Sequence, residues 1–294
     1  MKFSSAILGL CVVGISAFTH PVPARTFKAQ SELYSLSERA AYDASPSMAG
    51  SPSDASRSGR RDVDDVWDTL SPITVQGNAL RTWSLSDPYV ERVQVYMRTD
   101  GRPLNANVEL WQGPDNTPQK MSVYLEDGDM RPFNAVIETP SDGSNTVAIR
   151  NTHSIEFPLS ACVEAEVDNA IANGMLSNTG ETKLVQGGAI FTTPFSPSVG
   201  SVQVILTTDG RPLNARVELL QGPNNNKQVI EFYSEDGKLR PLNVVFETPG
   251  VGNVVRIVNT ATVEFPLTAT VKPFMVDNAV SDGTGYRSNP FVLS

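Results

Sequence analysis

Histidine and cysteine are nearly missing from this chain, with two of each in 294 residues. So few ligating and cross-linking groups exclude a disulfide-stapled scaffold and a Cys/His zinc module. Aromatic residues are only 7%, and 23 Lys plus Arg face 32 Asp plus Glu, for a net charge of −9. Phosphate backbones are bound by clustered cations, so nucleic acid is not an expected partner. No apolar run approaches the ~20 residues of a membrane-spanning helix, and no transmembrane segment is expected. A Gly-rich phosphate loop with its Lys is also missing, which removes that nucleotide-binding signature. What the chain does have is 40% hydrophobic residues with 21 Gly and 21 Pro, enough for a packed core cut by many turns.

The first 61 residues differ in charge from the rest. They carry 7 Lys/Arg and 4 Asp/Glu, net +3, whereas residues 62–294 carry 16 and 28, net −12. Lys2, the apolar run Ala6 to Ile15 and the small Ser16 and Ala17 have the form of a signal peptide over residues 1–17. Residues 18–61 hold 9 Ser, lean basic and end in Arg60-Arg61, a transit-peptide-like composition. Together they resemble the bipartite presequences of secondary plastids, with Ile15-Ser16-Ala17-Phe18 where an Ala-Ser-Ala-Phe-type motif would stand. That resemblance implies a plastid stroma location. A secreted protein with a pro-region is the alternative.

The strongest internal signal is a repeat. Thr99-Asp100-Gly101-Arg102-Pro103-Leu104-Asn105-Ala106 returns 109 residues later as Thr208 to Ala215, and residues 99–140 match 208–249 at 27 of 42 positions. Glu156-Phe157-Pro158-Leu159 returns as Glu264 to Leu267, and Val75-Gln76-Gly77 as Val185 to Gly187. A unit of this length repeated twice is a doubled domain, not a solenoid. We therefore divide the chain into an N-terminal arm (62–74), repeat domain 1 (75–180), repeat domain 2 (181–280) and a C-terminal tail (281–294).

Alternation points to strands throughout. Val93 to Thr99, the Asp100-Gly101 turn and Leu104 to Trp111 read as a hairpin, because Asp-Gly tolerates the positive φ of a tight turn. Met121 to Leu125, Phe133 to Glu138, Asn145 to Asn151 and Ala161 to Val167 complete the copy. Short strands at regular spacing predict an all-β fold of two tandem β-sandwich-like domains, with a partly closed barrel per copy as the alternative. One short helix is expected over Asp62 to Leu70, with Val63, Val66, Trp67 and Leu70 at helical spacing. Trp111 becomes Leu220 in the second copy, so that position is expected in the core.

Catalytic equipment is sparse. His153 becomes Ala261, so a histidine site would exist in one copy only, and Cys162 reads as a buried small hydrophobe. The repeated carboxylates Glu109, Glu126, Asp127 and Glu138 (Glu218, Glu235, Asp236, Glu247) could in principle form a duplicated acid–base pair, but the Asp-Gly pairs among them already have a structural job in turns. Asp127-Gly128-Asp129 lacks the rest of a calcium loop. Neither a metal nor any other cofactor is expected. The repeated arginines Arg102, Arg131, Arg211 and Arg240 each precede a Pro beside a turn. Their guanidinium forks fit Glu109, Glu138, Glu218 or Glu247 within a domain, or a carboxylate of another subunit.

The duplicated Thr-Asp-Gly-Arg-Pro-Leu-Asn-Ala, Val-Glu-Leu, Gln-Gly-Pro and Glu-Phe-Pro-Leu words, over about residues 75–280, resemble the pyrenoid shell proteins of diatoms. The resemblance implies a non-enzymatic protein that self-assembles into a sheet around the Rubisco-filled pyrenoid, limiting CO₂ leakage. Its partners would be further copies of itself, paralogous shell proteins and the Rubisco matrix. The candidate self-assembly residues are Arg102, Arg131, Arg211, Arg240, Trp67 and the apolar tip Phe291, Val292 and Leu293. The competing reading is a carbohydrate-binding β-sandwich without catalytic activity, for which Trp83 and Trp111 would have to supply an exposed aromatic platform.

Overall fold

The computed structural model describes residues 67, 70–87, 89–140, 143–165, 180–223 and 225–276. Period-two burial builds its strands. In β4 (Leu104–Gln112), Leu104, Ala106, Val108 and Leu110 are buried while the residues between them are not. That pattern sets one face on a core and the other outward. The first repeat also supplies β1 (Ile73–Val75), β2 (Leu80–Leu85), β3 (Arg92–Arg98), β5 (Asn116–Leu125), β6 (Phe133–Glu138), β7 (Asn145–Asn151) and β8 (Leu159–Glu164). The second supplies β9 (Thr182–Val185), β10 (Ile190–Pro194), β11 (Val199–Thr207), β12 (Leu213–Gln221), β13 (Asn226–Ser234), β14 (Leu242–Glu247), β15 (Asn253–Asn259) and β16 (Leu267–Val276). The helix expected over 62–70 lies outside the described residues except for Trp67 and Leu70.

Two antiparallel sheets of eight strands form a sandwich. The first runs β1-β8-β3-β6-β14-β11-β16-β9 and the second β10-β15-β12-β13-β5-β4-β7-β2. With β9–β16 taken as counterparts of β1–β8, both orders are palindromes. Each repeat gives four strands to each sheet, and the repeats meet edge to edge in both sheets, β6 on β14 and β5 on β13. The two expected sandwiches thus share their sheets and one continuous core, from Val75 to Ala269.

The register fixes the symmetry. Ser122 lies opposite Glu231 and Ala135 opposite Val244, each facing its own counterpart 109 residues on. A local two-fold axis passes through both pairs. The outer face of the second sheet is open, with Lys120, Ser122, Tyr124, Glu231 and Tyr233 exposed. On the first sheet the outward side chains Gln94, Tyr96, Val136, Gln203 and Val245 are buried. Phe274 packs there on Val136 and Val245.

Candidate assembly surfaces

At one end of each repeat, four connections are stitched together in the same way twice. Thr99 Oγ1 donates to the Arg102 carbonyl (2.5 Å), as Thr208 Oγ1 does to that of Arg211 (2.6 Å). The Arg102 carbonyl also accepts from Gly128 N (3.2 Å), as that of Arg211 does from Gly237 N (3.0 Å). Arg102 Nη1 then reaches the Glu156 carbonyl at 3.0 Å, and Arg211 Nη1 the Glu264 carbonyl at 2.9 Å. Their guanidiniums lie 5.9 and 6.0 Å from the ring centres of Phe157 and Phe265.

Buried asparagines hold the same loops from below. Asn151 Nδ2 donates to the Val75 (3.1 Å) and Phe157 (2.8 Å) carbonyls, and Asn259 Nδ2 to those of Val185 (3.0 Å) and Phe265 (2.9 Å). The β5–β6 turn is set by Asp127, whose Oδ1 accepts from Asp129 N and Met130 N, both at 3.0 Å. Asp236 Oδ1 accepts likewise from Lys238 N (2.8 Å) and Leu239 N (3.0 Å). These carboxylates shape turns. Among the described residues, no cluster of three His, Cys, Asp or Glu is placed to hold a metal.

The two kinds of repeated arginine have different surroundings. Arg102 and Arg211 are exposed at the loop ends, each 3.6–3.7 Å from its own turn carboxylate, Asp100 or Asp209. Arg131 and Arg240 are buried, and each crosses to the other repeat. Arg131 Nη2 donates to Gln221 Oε1 at 3.0 Å and Arg240 Nη2 to Gln112 Oε1 at 2.8 Å. Burial draws the Arg131 guanidinium below its ordinary value, against the opposing pull of Glu126 and Asp127. These two therefore fasten the chain's own halves together.

The carboxylate partners expected for these arginines are corrected. Glu138 faces Arg92 at 3.6 Å, and Glu109 accepts from Trp111 Nε1 at 2.8 Å. Glu218 is buried between Arg216 (2.7 Å) and Arg256. Glu247 stands opposite Ser201, where the first repeat has Arg92 opposite Glu138. Without that cation, burial pushes the Glu247 carboxyl up to about 7.

Trp67 is buried on its own chain, edge-on to Tyr96 at 6.0 Å, with the Arg98 guanidinium 4.4 Å above its ring. Cys162 is buried beside it, its thiol pushed up to about 12 by burial and by Glu164. Trp111 is not in the core. It shares the outward parity of Asn107 and Glu109 on β4, because Leu104, Ala106, Val108 and Leu110 take the inward positions. Leu220 is likewise on the outer face of β12, though buried there. His153 packs 4.0 Å from Phe157, and its Nδ1 accepts from Ser154 N. Phe291, Val292 and Leu293 lie outside the described residues.

A groove of about 510 Å³ crosses the seam on the open face of the second sheet, between Asn107, Glu109, Lys120, Arg216, Glu231 and Tyr233. Charged side chains of both signs line it beside Met121, Ala215 and Phe232. Neither Trp83 nor Trp111 lines it, and Trp83 packs against the core.

A family model described as diatom pyrenoid shell protein matches residues 67–273. The chain belongs to that family. It is thus a diatom pyrenoid shell protein with a structural role and a plastid pyrenoid location, and the family is not one of known enzymes. The match spans β1 to most of β16, so both repeats belong to the shell-protein unit. No curated protein matches. Two solved structures are similar at 10% identity. One is the N-terminal CBM22-1-CBM22-2 tandem domain of Xyn10C from Paenibacillus barcinonensis, with TM-score 0.22, over 68% of this chain and 80% of that one. The other is the PBSX exported protein XepA, with TM-score 0.23, over 69% and 85%.

Proposed function

We propose that the protein self-assembles into the sheet that encloses the Rubisco-containing pyrenoid, at its periphery in the plastid stroma. It acts without catalysis, as a barrier that supports CO₂ concentration and carbon fixation. The observation that carries this reading is the two-fold relation inside one chain. It repeats the Thr–Arg, Asn and Asp loop-end hydrogen bonds on two oppositely directed ends, which supports a molecule with two binding faces. A bivalent unit whose contacts do not close on themselves extends without limit. Copies of itself are the main partner, with paralogous shell proteins able to take the same places and the Rubisco matrix on one side.

The test is protein beginning at residue 62, followed by negative-stain electron microscopy and light scattering across concentration and salt. Sheets or tubes are the expected result. A monodisperse monomer at every concentration overturns the reading. We propose that the apolar tip at Phe291, Val292 and Leu293 docks into a neighbouring chain, docking onto its own domain being the alternative, and deletion of residues 287–294 is then expected to abolish assembly. Unchanged assembly of the shortened protein removes the tail from the contact.

A further inference from the structure

Exposed apolar side chains recur at matching places on the two loop ends. Ile155 is 72% exposed and its counterpart Val263 73%, and Met130 is 42% exposed and its counterpart Leu239 52%. The Arg102 and Arg211 bonds described above tie the turns that carry them into one end of each repeat. Large apolar groups left in water at matching places on both ends would gain free energy by leaving water in a contact.

Within the turns of the two ends, charge differs at one exposed position. Asp129 precedes Met130 in the first repeat, and Lys238 precedes Leu239 in the second. The main chain is the same at both, since Asp127 and Asp236 accept from equivalent N–H pairs. The two side chains therefore project from equivalent places with opposite sign.

We infer that the loop end of the first repeat, with Asp129, Met130 and Ile155, docks onto the loop end of the second repeat of another copy, with Lys238, Leu239 and Val263. A contact between two first ends would bring Asp129 to Asp129, and one between two second ends Lys238 to Lys238. Only the unlike pairing sets a carboxylate against an ammonium around the apolar centre. The seam is antiparallel, and Arg131 and Arg240 reach the far hairpins of the opposite repeats, so the two ends point in opposite directions. Repeating the unlike contact then gives a staggered, unclosed row of chains. This inference rests on the assembly reading above.

The experiment is charge exchange in the purified chain, with the protein concentration at which assemblies appear read by light scattering. Thermal melts check that each variant folds. Asp129→Lys and Lys238→Asp are each expected to raise that concentration at least tenfold. The double variant is expected to restore it. The two single variants mixed in equal amounts are expected to co-assemble, because each then supplies the end that the other lacks. Wild-type assembly with unaffected single variants overturns the proposed contact alone. Single variants that are impaired but rescued by neither route also overturn it. Failure of the wild-type chain to assemble under any condition overturns the assembly reading itself.

Discussion

Gly77 and Gly187 show how tightly single residues bind the loop ends. A Cβ on Gly77 would stand 1.9 Å from the Ser154 carbonyl oxygen, and one on Gly187 1.8 Å from that of Thr262. The obstacle is backbone, so it cannot swing aside as a side chain would. Gly77→Ala is expected to cost about 1–3 kcal/mol, the usual range for overpacking, and to lower the melting temperature. Scanning calorimetry measures this, and an unchanged melt would show that the β1–β2 turn yields freely. Cys162 makes the opposite kind of residue-level statement. With its thiol buried and pushed up to about 12, almost no thiolate exists at pH 8. Iodoacetamide is expected to leave it unlabelled in the native protein and to label it after denaturation. Mass spectrometry reads the difference, and native labelling at the rate of a free thiol would contradict its burial.

Among the elements, β6 and β7 coincide with the strands expected from alternation, because both have clear inward residues and flanking turns. The short edge strands β1 and β9 were not legible, since only their last residues, Val75 and Val185, are buried. Trp111 misled for a related reason. An apolar residue at both copies of a position reads as core, yet strand parity places it outward. The partners of Arg131 and Arg240 were beyond sequence reasoning, because glutamines 90 and 128 residues away accept their bonds. Only the register of β5 on β13 brings them close. Gln112→Leu would leave the buried Arg240 fork without its acceptor, at an expected cost of about 1–3 kcal/mol in a denaturant titration. No loss would mean that water or another carbonyl replaces it.

The Glu247 strand pair gives a pH dependence. Its folded value near 7 lies above the ordinary 4.5, so its stabilising contribution is full below about pH 4.5 and is lost as pH rises through 7. Glu247→Gln is expected to flatten the fall in melting temperature between pH 5 and pH 8. Parallel melting curves for the two proteins would assign the pH dependence elsewhere.

For the whole molecule, the local two-fold axis means that each half already carries a surface complementary to itself. In a chain ending at residue 180, β5 and β6 would become free edges whose register is self-pairing about Ser122 and Ala135. Such a chain is expected to run as a dimer in light scattering after gel filtration, with Arg131 bonded to the partner copy's equivalent of Gln221. A stable monomer would show that the seam requires the second sequence. The joined form also has a freedom that such a dimer lacks. In a pair of identical subunits every substitution appears on both ends at once, so an acidic residue on one end cannot face a basic one at the equivalent place on the other. With both halves in one polypeptide, Asp129 and Lys238 occupy equivalent places and differ. Duplication within the chain has turned a symmetric object into one with a direction, and each end can change without the other.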